Sequence, residues 1–199
     1  MKIIGLSGQS GAGKTTALQV LKQSGATVCD CDKVSREVMM KNTPCTKEII
    51  SYFGEDIASC DGEINRKKLG EIVFCDKAKL DKLTEITHRY IKAHIFDLID
   101  DAKSKGHDTF IIDAPLLFES GLDKICDITL AITAPKDARI ERIIQRDGIS
   151  KELAEKRISA QLPESELVRL ATEVIVNDKA LTDLEKAVTE FAKRKGIVK

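Results

Sequence analysis

The residues best suited to do chemistry in this sequence are a lysine and a threonine at the end of a glycine-rich run. Gly8-Gln9-Ser10-Gly11-Ala12-Gly13-Lys14-Thr15 satisfies the phosphate-binding pattern G-x-x-x-x-G-K-[ST]. Glycines in such a run let the backbone pass close to a polyphosphate and turn N–H groups toward it, and a following helix adds the positive end of its dipole. The ammonium of Lys14 is expected to reach the β and γ phosphates, and the hydroxyl of Thr15 to hold Mg²⁺. Three acids have matching positions: Asp30 and Asp32 in Cys29-Asp30-Cys31-Asp32, and Asp113 at the end of Thr109-Phe110-Ile111-Ile112-Asp113. Asp113 is expected across from Thr15 as a second oxygen ligand of Mg²⁺. Binding of ATP or GTP is the premise these residues support.

The elements that must position them follow from the apolar runs. Ile3-Ile4-Gly5-Leu6 reads as a buried strand, and Thr16 to Lys22 as a helix stopped at Ser24-Gly25. Ala26 to Asp30 reads as a second strand, with Asp30 and Asp32 at its carboxyl end, where open α/β sheets bind their ligands. A helix is expected over 33–40, and capping of it by Asp32 accounts for one acid as well as chemistry does. From Pro44 to Asp101 apolar residues recur at spacings of three and four, broken by a turn at Ser59-Cys60-Asp61-Gly62. This reads as a long helical insertion between two strands, suited to a second substrate. Its basic patch Asn65-Arg66-Lys67-Lys68 is either a solvated face or a substrate contact. Strands are expected over Thr109–Asp113, Cys126–Ile132 and Val174–Asn177, and helices over Lys136–Gln145, carrying Arg139, Arg142 and Arg146, and over Leu181–Lys195. The charged segment 147–170, interrupted at Leu162-Pro163, is either a surface hairpin or a lid whose Arg157 and Gln161 share a face.

A chain of 199 residues, 42% hydrophobic and 32% charged, fits one soluble domain. Its formal net charge of zero gives no global argument for nucleic acid or a membrane surface. No stretch approaches the roughly 20 apolar residues of a membrane span, and a cytoplasmic location is expected. The six cysteines, at 29, 31, 45, 60, 75 and 126, are expected to be reduced thiols, with no partner spacing that suggests a metal site.

Several blocks in order resemble the dephospho-coenzyme A kinase family. Gly5 to Thr16 is similar to G-L-T-G-G-I-G-S-G-K-S, Asp30 to Arg36 to D-A-D-x-I-A-R, Asn65 to Phe74 to N-R-x-x-L-G-x-I-V-F, and Asp113 to Glu119 to D-x-P-L-L-F-E. Arg142, Gln145-Arg146-Asp147 and the stretch from Arg157 to Gln161 are similar to the family's arginine-bearing helix and lid. Departures are Gln9-Ser10 for Gly-Ile, Cys31 for Ala, and His88-Arg89 for His-Pro.

The resemblance implies an α/β P-loop NTPase fold over 1–199, a parallel sheet flanked by helices, with a helical coenzyme-binding insertion over 44–103 and a helical lid over 148–170. It implies transfer of the γ-phosphoryl group of ATP, with Mg²⁺, to the ribose 3′-hydroxyl of dephospho-coenzyme A, the last step of coenzyme A synthesis. Asp32 is then the general base, Lys14 a catalytic cation, and Arg142 a stabiliser of transferred charge. Nucleotide contacts are implied for Gly8, Gly11, Ala12, Gly13, Lys14, Thr15, Thr16, Arg146 and Asn177. Substrate contacts are implied for Asp32, Arg36, Asn65, Arg66, His88, Pro115, Leu116, Arg157 and Gln161. No nucleic acid, membrane or obligate protein partner is implied.

The residues taken alone also suit a nucleoside, nucleotide or small-alcohol kinase of the same fold. A switch or motor NTPase is disfavoured by the lack of N-K-x-D and D-x-x-G motifs and of a second ATPase half, and a non-catalytic sensor by the presence of Lys14, Thr15, Asp32 and Asp113 together.

Overall fold

The computed structural model describes residues 1–59 and 61–197, so the expectation for Cys60 lies outside the described residues. Its contacts divide the chain into two compact units, one of Met1–Cys29 with Ala102–Lys199 and the other Asp30–Asp101.

The first unit is built on strands β1 (Lys2–Gly8), β2 (Thr27–Asp30), β3 (Thr109–Asp113), β4 (Ile128–Thr133) and β5 (Glu173–Val176) in the order β2-β3-β1-β4-β5. The pairs β1 with β3, β1 with β4 and β4 with β5 are parallel, and Leu6 stands opposite Asp113. Near-continuous apolar runs such as Phe110-Ile111-Ile112 are what a strand covered on both faces requires. Helices α1 (Lys14–Gln23) and α9 (Leu181–Arg194) cover the sheet, joining Ile4, Leu6, Ile111, Leu130 and Ile132 to Ala17, Leu21, Leu184, Val188 and Phe191 in one core.

The same unit holds α6 (Lys136–Asp147), α7 (Lys151–Ser159) and α8 (Glu164–Leu170). Gly148 ends α6 in the left-handed conformation, and Ser150 caps α7 by accepting the Leu153 N–H. Ile140 and Ile143 of α6 meet Ala154 and Ile158 of α7 in a small apolar cluster, so this hairpin carries its own packing.

The second unit contains α2 (Cys31–Val38), α3 (Pro44–Phe53), α4 (Arg66–Val73) and α5 (Lys77–Ser104) up to Asp101. Its core joins Cys45, Ile49, Ile57, Leu69, Val73 and Ile86. Thr43 caps α3 ahead of Pro44, and the side chain of Asn65 caps α4 by accepting the Lys68 N–H.

Several boundaries differ from the sequence expectation by a residue or two, and two of them have a visible cause in an acid's hydrogen bond. The helix expected over 33–40 begins at Cys31, because Asp30 rather than Asp32 is its cap: the Asp30 carboxylate accepts the Lys33 N–H at 3.0 Å. Cys126 and Asp127 stand outside β4, where Asp127 instead accepts the Ile3 N–H at 2.7 Å and fixes the start of β1. Among the described residues no helix is long and apolar enough to cross a membrane.

Candidate active site

The phosphate-pattern residues form the turn between β1 and α1, and three of their consecutive carbonyls accept hydrogen bonds from side chains. Ser10 O accepts Arg139 Nε at 3.1 Å, Gly11 O accepts Arg142 Nη1 at 3.1 Å, and Ala12 O accepts Asn177 Nδ2 at 2.9 Å. A planar trans peptide sets each N–H opposite the preceding C=O. Anchoring the Ser10 and Ala12 carbonyls therefore turns the Gly11 and Gly13 N–H groups away from those donors, the orientation an anion cradle needs. Gly11 and Gly13 have φ of 78° and 102°. A Cβ at Gly11 would lie 2.7 Å from Arg139 O, and one at Gly13 2.6 Å from Asn177 Nδ2, so both close approaches exclude a side chain.

In front of the loop is a cavity of about 270 Å³ lined by Gly8, Gly11, Gly13, Lys14, Thr15, Pro115, Arg142, Arg146 and Gln161, together with Gln9 and Ser10. Lys14, Arg142 and Arg146 concentrate positive charge on one small volume, as binding of a polyphosphate demands. Lys14 Nζ donates to Asp113, which closes β3 and is nearly buried, so this acid holds the ammonium at the mouth of the loop. Thr15 is exposed at the start of α1. Its hydroxyl and the Asp113 carboxylate are the hard oxygen donors that Mg²⁺ prefers, so the residues present fit that ion.

Other expected nucleotide residues take different places. Ala12 is buried in the core beneath the loop and reaches a ligand only through its backbone; Asn177 is 5% exposed behind it, just past β5. Thr16 lies in the first turn of α1. Leu116 is exposed and lines a smaller cavity, about 60 Å³, with Pro115 and Gln161. Arg157, from α7, ion-pairs with Asp147, which also accepts Arg146 Nε at 2.7 Å. These two guanidiniums, Arg146 foremost, hold the Asp147 carboxyl at about 2.

Two residues of this site carry more than the sequence indicates. Arg139 is 2% exposed and donates to Gln9 Oε1 at 2.6 Å as well as to Ser10. Burial presses its pKa below the ordinary value. The available signal was its spacing: Arg139, Arg142 and Arg146 recur three and four apart, on one face of α6. Gln9, at a position the phosphate pattern leaves open, gives no signal of its own.

In the second unit, Arg36 and Arg66 line a cavity of about 490 Å³ with Met39, Met40, Lys41, Glu63 and Ile64. Asp32 is exposed in the first turn of α2. Asn65 Oδ1 is engaged in the α4 cap. His88 is half-buried on α5, and burial, with the Lys92 charge adding, lowers its pKa. Arg89, beside it, pairs with Glu48, which also accepts Tyr90 Oη at 2.7 Å. Burial, with Glu48 nearby, pushes the Cys45 thiol up to about 11. Burial and Asp123 push Cys126 up to about 12, so both are inert protonated thiols.

A parallel sheet of this order with a phosphate loop after β1 and a cation-lined cavity at its mouth defines a P-loop NTPase fold. The sequence profile described as CoaE, dephospho-CoA kinase, matches residues 2–183. The dephospho-CoA kinase of Fusobacterium nucleatum subsp. nucleatum is 43% identical over 190 residues, covering 95% of this chain and 96% of that protein. That of Listeria monocytogenes serotype 4b is 38% identical over 193 residues, covering 97% and 96%. The solved structure of the dephospho-CoA kinase from Campylobacter jejuni superposes with a TM-score of 0.72 at 27% identity, covering 98% of this chain and 99% of that one. The chain belongs to the dephospho-CoA kinase family of ATP-dependent kinases.

Proposed function

We propose that the chain transfers the γ-phosphoryl group of Mg-ATP to the ribose 3′-hydroxyl of dephospho-coenzyme A, with nucleotide bound by 8–15 and the acceptor by the unit 30–101. The observation that carries the reading is the cavity at the loop, where Lys14, Arg142 and Arg146 converge beside backbone N–H groups in a family whose relatives are named for this acceptor. Thr15 and Asp113 would hold Mg²⁺, which when bound neutralises charge on the β and γ phosphates. Lys14 and Arg142 draw negative charge off the phosphoryl oxygens as it spreads over them. Arg157 and Gln161, on the segment 148–170, serve as lid residues over that group.

Asp32 acts as the general base. A ribose hydroxyl is a weak nucleophile at neutral pH, so a carboxylate must orient it and take its proton as the bond to phosphorus forms. Asp30 is occupied as a helix cap, which favours Asp32 for this role. Arg36 and Arg66 supply cations to the anionic part of dephospho-coenzyme A, while Met39, Met40 and Ile64 offer apolar surface to its uncharged arm. His88, Pro115 and Leu116 complete the acceptor contacts. The reaction is placed in the cytoplasm, where ATP is available.

The test offers the protein Mg-ATP with dephospho-coenzyme A and, separately, with a panel of nucleosides and small alcohols, and identifies each product by mass and phosphorus NMR. Coenzyme A as the dominant product is expected. Faster phosphorylation of a nucleoside or small alcohol would overturn the reading in favour of another acceptor, and acceptor-independent hydrolysis in favour of a switch NTPase.

A further inference from the structure

Gln9 is a loop residue that is nevertheless buried, 7% exposed, with its side-chain amide hydrogen-bonded at both ends. Its Oε1 accepts Arg139 Nη1 at 2.6 Å, and its Nε2 donates to Leu162 O at 2.8 Å. Arg139 can only donate and a carbonyl can only accept, so one orientation of the amide satisfies both partners. Leu162 lies in the connection between α7 and α8. The preceding residue, Gln161, accepts the Ser10 N–H at 3.0 Å and stands 3.5 Å from Arg139 Nη2. Two residues of the phosphate loop and two of the α7–α8 connection are thus cross-braced around one buried guanidinium.

The brace is unlike ordinary loop packing in two respects. Gln9 does not need its backbone to be special, since Asn42 is the one non-glycine with positive φ among the described residues. The α6–α7 hairpin also has its own apolar cluster, so the brace is not required to fold it. What the polar contacts add is position. Gln161 is a wall of the phosphate cavity, and its side chain is tied there by the Ser10 N–H and Arg139, with the Gln9 bond to Leu162 beside it.

We infer that Gln9 is a positioning residue for phosphoryl transfer: through Arg139 and Leu162 it holds the α7–α8 connection against the phosphate loop, so that Gln161 stays at the cavity wall. The inference rests on the kinase reading above only for its effect on turnover; the brace itself is testable without an acceptor. Substituting Gln9→Ala removes both bonds. Substituting Gln9→Glu keeps the acceptor for Arg139 and removes the donor to Leu162.

Amide hydrogen exchange on the full chain, with and without a non-hydrolysable ATP analogue, reads the brace directly. In both variants exchange over 158–171 should accelerate by roughly three- to tenfold, the scale of one lost hydrogen bond, while β1 and β4 exchange as in the unsubstituted chain. With dephospho-coenzyme A, kcat should fall by a similar factor and the KM for ATP should change less than kcat, because the loop N–H groups remain. Unchanged exchange over 158–171 in both variants would overturn the inference. So would an acceleration spread evenly over the sheet, which would make Gln9 a stability residue only. A chain that phosphorylates no dephospho-coenzyme A would remove the proposed function yet leave the exchange result, and hence the brace, standing.

Discussion

The two units treat their polar side chains in opposite ways. Around the phosphate loop, Arg139 is 2% and Asn177 5% exposed, and each is spent on a backbone carbonyl. In the unit 30–101, Asp32, Arg36 and Arg66 are exposed, and the cavity that two of them line is wider, about 490 Å³ against about 270 Å³. Buried polar groups must be paired, so the nucleotide site is set when the chain folds, and its dipoles need no rearrangement at the moment of reaction. Exposed arginines keep their rotamer freedom until a substrate immobilises them, at a cost to affinity. On the proposed reading, one unit supplies a rigid phosphate cradle, and the other an adaptable acceptor surface.

That contrast breaks most severely at Lys14. Replacing Lys14→Ala should abolish detectable turnover and leave the circular dichroism spectrum unchanged, because it removes a charge from the phosphates and, beyond its pairing with Asp113, no packing from the core. Turnover near that of the unsubstituted chain would mean the loop is not the site of transfer. Arg142→Ala should lower kcat by about 10²- to 10³-fold, the range for losing one preorganised donor to transition-state charge. Steady-state kinetics decides the point, since an effect confined to the KM for ATP would make Arg142 a ground-state clamp.

Smaller effects sharpen the acceptor side. Arg66→Ala should raise the KM for dephospho-coenzyme A by roughly tenfold, the lower end for a charged hydrogen bond, with the melting temperature unmoved because Arg66 is exposed. A large loss of stability would place Arg66 in the structure rather than at the substrate. The smallest effect concerns Asp147, held at about 2 by Arg146 and then Arg157. Its folded value lies below the ordinary aspartate value of about 3.9, so its ion pairs stabilise the fold above that pH. The contribution is lost as pH falls toward 2. Asp147→Asn should therefore flatten the melting temperature between pH 4 and 2 slightly, as thermal scans at several pH values would register.

Much of the nucleotide half was legible because its chemistry is local. The pattern at 8–15 and the apolar runs at 3–6 and 109–113 depend on neighbours in sequence, and the structure puts each on the expected element. What escaped was long-range. Gln9 meets Arg139 across 130 positions and Leu162 across 153, and periodicity carries no trace of either contact. The helix expected to follow Asp32 starts earlier because Asp30 and Asp32 are both competent caps, and only the strand's exit direction decides which carboxylate reaches the Lys33 N–H. Asn65 shows the reverse case: a residue in a family-like block whose side chain also has a local capping task that composition does not disclose.

The division between a fixed cradle and a separate proton acceptor is tested most directly at Asp32. With dephospho-coenzyme A as acceptor, kcat of Asp32→Asn and Asp30→Asn is measured beside the dissociation constant of Mg-ATP for each variant. Asp32→Asn should lose about 10²- to 10⁴-fold in kcat, roughly 3 to 5 kcal/mol of barrier, with nucleotide affinity unchanged. Asp30→Asn should lose much less, because asparagine caps a helix nearly as well as aspartate. Near-normal kcat for Asp32→Asn with an inactive Asp30→Asn would contradict the account, as would a loss in both variants that appears mainly as weakened Mg-ATP binding.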